Sequence, residues 1–146
     1  MDLVRNKKAT FHHEILEEFE AGIELLGHEV KSIRNKMGSL EGSRVTVRGG
    51  EGFLMGATVQ PYQPNNITND YDPNRNRRLL LDKKTLAGLS KAEDTKGLTI
   101  VPISWYNKGK NIKLRIAIAR GKKQFDKRET IKKRDTERDL RREFKR

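Results

Sequence analysis

The sequence predicts a mainly β protein, and three observations carry that prediction. Hydrophobic residues recur at every second position in several separate stretches. Glycine pairs or short polar runs divide those stretches into hairpins. Only two segments of the body show helical spacing, and both are short.

Taken in order, "EILEEFEAGIELL" (residues 14–26) alternates, with Ile15, Phe19, Ala21, Ile23 and Leu25 on one side and Leu16, Glu18, Glu20, Gly22 and Glu24 on the other. Period two predicts a strand despite the helix-forming Glu and Leu, and Gly27 ends it. "HEVKSIRNKM" (28–37) places Val30, Ile33 and Met37 at helical spacing, and Gly38 stops that helix. "SRVTVRGGEGFLMGATV" (43–59) is two β-rich runs around Gly49-Gly50, a hairpin. "QPYQPNNITNDYDPNRNRR" (60–78), with three prolines and five asparagines, is a long polar loop that ends on Arg75, Arg77 and Arg78. "DKKTLAGLSKAE" (82–93) is a helix capped by Asp82. "LTIVPISWY" (98–106) and "NIKLRIAIA" (111–119) make a second hairpin about "NKGKN". In its second strand Ile112, Leu114, Ile116 and Ile118 point one way, Lys113 and Arg115 the other. Five strands with a helix between the third and fourth is the ordering of an oligonucleotide-binding (OB) type barrel, a closed Greek-key sheet with flanking short helices. An antiparallel sandwich is the other arrangement open to the same strands.

Charge divides the chain. It has 146 residues and a formal net charge of +12. Residues 1–119 hold 19 basic and 14 acidic groups, net +5, whereas residues 120–146 hold 13 and 6, net +7. The expected organisation is therefore a barrel over residues 1–120 and a basic C-terminal tail over 121–146. Such a balance predicts a polyanionic partner, nucleic acid first, because displaced counterions drive binding without a sequence code. On a helical projection Lys127, Arg134, Arg138, Arg141 and Lys145 form a narrow stripe, with Glu129, Asp139 and Glu143 opposite. With no apolar face, the tail is expected to be coil or a fluctuating helix until phosphates order it. Phe125, an aromatic among cations, can stack on a base. The same lack of an apolar face disfavours a membrane surface. No apolar run is long enough for a signal peptide or a membrane span, so a cytoplasmic location is expected.

Catalysis finds no support in the residues. Cysteine is absent, so there is no thiolate metal site or disulfide. His12 and His13 are adjacent and would face opposite sides of a strand, and no metal-ligand spacing, nucleophile motif or phosphate loop occurs. The expectation is a binding protein, not an enzyme, without cofactor or metal. On the body, Arg75, Arg77, Arg78, Lys83 and Lys84 form a second basic cluster, and one of the three successive leucines at 79–81 must face outward in a strand. An outward Leu80 is either covered by the adjoining helix or a platform for a ribose or base.

Four segments, "FEAGIELLGHEVKSIR", "GEGFLMGA", "DPNRNRRLLLDKKTL" and "ARGKKQFDKRETIKKRD", closely resemble the small protein B (SmpB) family, the SsrA-binding proteins of bacterial trans-translation. The likeness runs in register from Asn6 to about Asp135. It implies an OB-type barrel that binds the tRNA-like domain of transfer-messenger RNA (tmRNA, or SsrA RNA). It also implies delivery, as a monomer with GTP-bound elongation factor Tu, to ribosomes stalled on messages lacking a stop codon. The tail would then occupy the decoding centre and the empty mRNA entry channel of the small subunit, against rRNA. Carried over by position, the tmRNA face comprises Asn6, Glu20, Leu80 and Asp82, with Arg75, Arg77 and Arg78 nearby. The ribosome-binding tail comprises Gly121, Lys122, Lys123, Phe125, Asp126, Lys127, Arg128, Arg134 and Arg138. Gly121 suits a bend where the tail leaves the barrel. The chain departs from the family at Thr10-Phe11-His12-His13, where an Arg-His-acidic-Tyr run is usual, at Asp82 in place of an amide, and at Phe125 in place of His or Tyr. A general ribosome-associated or single-stranded-RNA-binding OB protein is the alternative on the same residues.

Overall fold

The computed structural model describes residues 2–62 and 70–121. Along them run β1 (Asp2–Arg5), α1 (Lys7–His12), β2 (His13–Ile23), α2 (Gly27–Arg34), β3 (Gly38–Ser39), β4 (Arg44–Arg48), β5 (Glu51–Met55), β6 (Thr58–Val59), β7 (Arg77–Leu80), α3 (Lys83–Glu93), β8 (Leu98–Lys108) and β9 (Asn111–Gly121). One large sheet has the order β1-β8-β9-β2-β7-β5-β4, and β3 pairs with β6 separately. Every ladder is antiparallel. The protein is mainly β, as expected, with three short helices among the described residues where the sequence predicted two. The sheet curls until β4, at one end, lies against β8, with α3 packed on both. Glu93, the last residue of α3, accepts hydrogen bonds from the Thr46 hydroxyl (2.7 Å) and the Val47 amide (2.8 Å). The edge strand β4 is thereby partly capped by a carboxylate.

The two long hairpins follow the sequence closely. Gly49 and Gly50 both have positive φ (59° and 76°), the conformation a two-residue turn with matching twist requires. Asp82 caps α3 by accepting the Thr85 amide at 2.7 Å. The core is built from Ile33, Leu40, Leu54, Leu89, Ile100, Trp105, Leu114 and Ile116, all essentially inaccessible. Each such side chain contributes about 1.5–3 kcal/mol of transfer free energy.

Five local features differ from expectation. The N-terminal segment forms β1 and α1, with Asn6 capping the helix through the Ala9 amide (3.3 Å). His12 closes α1 and His13 opens β2, its Nδ1 3.0 Å from the Ala9 carbonyl, so the two are not strand neighbours on opposite faces. In β2 a bulge between Ile15 and Glu17 changes the facing of everything before it. Phe19 and Ala21 stand opposite Ile116 and Leu114 of the main core, but Ile15 stands opposite Ala119 and packs in a second, smaller cluster with Ala9, Val101, Ile103 and Ala117. Helix α2 stops at Arg34 rather than at Gly38, and Arg77 and Arg78, expected as the end of a loop, open the strand β7 between β2 and β5.

β7 escapes a hydropathy pattern because its first inward residue is an arginine. Arg77 and Leu79 are buried while Arg78 and Leu80 face out. Arg77 is fully buried and donates from Nε (2.9 Å) and Nη2 (2.6 Å) to Glu29 Oε2. Glu29, on α2 and equally buried, also accepts both Arg75 donors, the Tyr71 hydroxyl (2.9 Å) and the Leu26 amide (2.8 Å). Burial alone would raise its carboxyl. The bonds from Arg75, the Leu26 amide and Arg77 overcome that cost and push it down to about 2. Because the folded value lies below the ordinary 4.5, this stabilisation is complete above about pH 4.5 and is lost as pH falls toward 2.

Two outcomes follow for stability. Glu29→Ala strands a fully buried guanidinium and a partly buried one, and should cost about 3–5 kcal/mol in urea unfolding at pH 7. The difference between the native protein and this variant should shrink between pH 4.5 and pH 2, by on the order of 3 kcal/mol. A pH-independent difference would contradict the assigned ionisation.

Candidate nucleic-acid interface

Strand register places one polar row across the outer face of the sheet. Leu80 of β7 pairs with Gly22 of β2, Gly22 with Lys113 of β9, Lys113 with Tyr106 of β8, and Tyr106 with Asp2 of β1. The next row carries Glu20, Arg115 and Ser104. These are the outward positions of strands whose alternate residues fill the core, so the two rows share one surface.

Gly22 matters because of Leu80. A Cβ at position 22 would sit 3.0 Å from the Leu80 Cβ, so the missing side chain lets Leu80 lie across β2. Leu80 is 50% exposed, so it is not covered by the adjoining helix. It borders a cleft of about 350 Å³ lined by Leu79, Leu81, Leu86 and the stem of Arg78. Arg78 bridges Glu24 and Glu51, each at 3.1 Å.

Glu20 is the anionic centre of the surface. It accepts from the Tyr106 hydroxyl (2.7 Å) and from Lys108 Nζ (2.9 Å). Those two bonds, Lys108 first, hold its carboxyl below the usual carboxylate range. Burial and the Glu20 bond together push the Tyr106 phenol up to about 12, so it remains a donor at neutral pH. Arg115 lies over the Tyr106 ring, 4.9 Å from its centroid, and reaches Asp2 at 4.0 Å. Ser104 donates to Asp2 at 3.2 Å. The result is an oriented acceptor and an apolar platform among cations. Phosphates can meet Lys113 and Arg115, and a sugar or base can meet Leu80. A 2′-hydroxyl or base amino group can donate to Glu20.

The residues expected at the site fall into three groups. Glu20, Arg78 and Leu80 share this face, and Asp82 lies two residues beyond Leu80 at the start of α3, where Thr85 holds its carboxyl low. Asn6, Arg75 and Arg77 are bonded into the scaffold. Asn6 is 5% exposed and spends its side chain on the Leu40 (3.1 Å) and Pro102 (3.0 Å) carbonyls and the Ala9 amide. Arg77 is enclosed with Glu29, and Arg75 is turned onto the same carboxylate. All three build the scaffold. Gly121 is the last residue of β9, paired with His13 instead of forming a bend. Lys122, Lys123, Phe125, Asp126, Lys127, Arg128, Arg134 and Arg138 lie outside the described residues.

Tyr106, Lys108, Lys113 and Arg115 were not among the expected site residues. The signal existed for two of them: Lys113 and Arg115 are the outward positions of an otherwise apolar strand. Among the described residues, no group of His, Asp or Glu is arranged to hold a metal, and no helix is long and apolar enough to cross a membrane.

A β-rich scaffold carrying a built polar face fits a binding protein, and similarity to known proteins specifies which kind. The family model described as SmpB protein matches residues 3–146. An SsrA-binding protein of Mesoplasma florum is 49% identical over 140 residues, 96% of this chain and 94% of that protein. One from Ligilactobacillus salivarius is 47% identical over 143 residues, 98% of this chain and 92% of its own length. A chain of the solved structure described as "tmRNA-SmpB: a journey to the center of the bacterial ribosome" superposes with a TM-score of 0.69 at 38% identity, covering 87% of this chain and 92% of that one. The chain belongs to the SmpB family.

The Glu20 bonds can be tested directly. Lys108→Met and Tyr106→Phe should each raise the Glu20 pKa toward the ordinary carboxylate value, Lys108→Met by more. Carboxyl carbon-13 titration reads this, and a Glu20 resonance that titrates identically in all three proteins would refute the assigned bonding.

Proposed function

We propose that the protein binds tmRNA in trans-translation, with its outer sheet face holding the tRNA-like domain. The observation that carries this reading is the shared surface of Glu20, Gly22, Leu80, Lys113 and Arg115, an oriented acceptor beside an apolar platform and two cations. Membership of a family whose relatives are named SsrA-binding proteins supports it, as does likeness to a chain solved under the name tmRNA-SmpB. The curled sheet, with β4 brought against β8, is the form a partly open OB-type barrel takes, and such barrels bind oligonucleotides on one sheet face.

The contacts are Glu20, Arg78, Leu80 and Asp82, joined by Lys113 and Arg115. Asn6, Arg75 and Arg77 serve the same face by holding β1, α1 and β7 in place. The complex acts as a monomer in the cytoplasm, and GTP-bound elongation factor Tu carries it to ribosomes stalled without a stop codon. No catalytic step belongs to the protein. Residues 121–146, net +7 once Arg120 is counted with them, enter the decoding centre and the vacant mRNA channel. A cationic segment and mRNA phosphates cannot both fill that channel, so occupancy tests for a truncated message.

Removing residues 121–146 should leave the affinity for tmRNA within about twofold while abolishing peptide tagging on stalled ribosomes; equal loss of both activities would contradict this division. Glu20→Ala should weaken tmRNA binding about tenfold with the melting temperature unchanged, the loss of one charged hydrogen bond. RNA recovered from a bacterial lysate should be enriched in tmRNA. Unselective recovery of transcripts would favour a general RNA-binding protein.

A further inference from the structure

We propose that the C-terminal end of α2 and the β8–β9 turn form a second, phosphate-binding half of the interface, with Lys31, Arg34, Lys36 and Lys110 as its contacts. Its occupant is the backbone of the same RNA that lies over Glu20 and Leu80, so the inference rests on that placement.

The first support is continuity. Glu20 bonds Lys108 at 2.9 Å, and Lys108 pairs with Asn111 across a turn that contains Lys110. Arg34 Nη2 donates to the Lys110 carbonyl at 2.6 Å, which ties the end of α2 to that turn. A connected set of bonds thus runs from the acceptor Glu20 to Arg34. Lys31, Arg34, Lys36 and Lys110 are all exposed. Among the described residues none of the four has a carboxylate within ion-pair distance, whereas Arg75, Arg77, Arg78, Lys108 and Arg115 all do.

The second support is backbone conformation. Helix α2 ends with the Lys36 amide on the Ile33 carbonyl (2.9 Å) and the Met37 amide on the Ser32 carbonyl (2.8 Å). That pair of bonds places residue 36 in the left-handed region, where glycine or asparagine is the usual occupant. Here Lys36 has φ 60°, the one positive value among the described non-glycine residues. A helix C-terminus does favour cations, but Lys31 and Arg34 already stand in its last turn. A third cation held against the backbone preference points to a use for its charge. The surface also contains Asn35, Asn107, Gly109 and Asn111, which suits phosphate and sugar better than a lipid surface.

The test compares Lys36→Gly, the triple variant Arg34→Gln/Lys36→Gly/Lys110→Gln, and Glu20→Ala. The probe is an RNA fragment comprising the tRNA-like domain, titrated over a series of salt concentrations. Lys36→Gly should melt at the same or a higher temperature, since glycine relieves the left-handed strain, yet bind about three- to tenfold more weakly at low salt. The triple variant should lower the slope of log affinity against log salt by about 3, close to one unit for each of the three lost phosphate contacts. Unchanged affinity and slope in both variants, with Glu20→Ala still weakened, would overturn this inference alone. No effect from Glu20→Ala either would overturn the placement beneath it. Normal fragment binding by the triple variant with loss of ribosome binding would reject the stated occupant in favour of ribosomal RNA.

Discussion

Glu29 carries a full negative charge into the interior of a small protein, where Arg77 and Arg75, the Tyr71 hydroxyl and the Leu26 amide surround it. Replacing the whole cluster by well-packed apolar side chains would change stability little, but the carboxylate specifies geometry, because each donor must arrive in one place. Its donors come from the start of α2, from the polar segment after residue 70, and from the first residue of β7. One carboxylate therefore sets where β7 enters the sheet and which of its residues face inward. A slip of one residue would turn Arg78 and Leu80 into the core and bring Arg77 and Leu79 out. The outer rows exist in their present form because that slip leaves Glu29 without its partner.

The face so positioned combines two kinds of interaction. Lys113 and Arg115 supply charge that any polyanion would feel, screened by salt over about 10 Å. Glu20 does the opposite, since a carboxylate repels phosphate and rewards only a donor placed opposite it. Lys108 and Tyr106 keep it ionised and aimed, so the acceptor survives in a basic protein instead of collapsing onto a random cation. Leu80 adds an apolar surface through the space left by Gly22. Attraction is thus general, while the acceptor and the platform are selective.

Much of the scaffold was legible in the sequence, because period-two hydropathy and paired glycines report directly on strands and turns. The 98–119 hairpin, the Gly49-Gly50 turn and the Asp82 cap all lie where those signals put them. What was hidden has a common physical cause: polar residues placed inside. Arg77 breaks the apolar alternation of β7, and Asn6 ties down the N-terminal segment with side-chain bonds that no periodicity predicts. The bulge at Leu16 is equally silent, because it moves Ile15 to the other face without altering composition. For the interface, resemblance supplied Glu20 and Leu80 but also Asn6, Arg75 and Arg77, whose surroundings are scaffold. Lys113 and Arg115 joined the proposed interface only when register set them beside Gly22 and Glu20.

The measurement closest to the centre of this account is an amide chemical-shift map, recorded while the tRNA-like fragment is titrated into the labelled protein. Perturbation should concentrate on Glu20, Gly22, Leu80, Lys113 and Arg115, leaving Ala9, Ala117 and Ala119, in the small cluster that α1 covers farther along the hairpin, nearly unmoved. Shifts gathered around Ala9, Ala117 and Ala119, with the Glu20 to Leu80 surface silent, would contradict it.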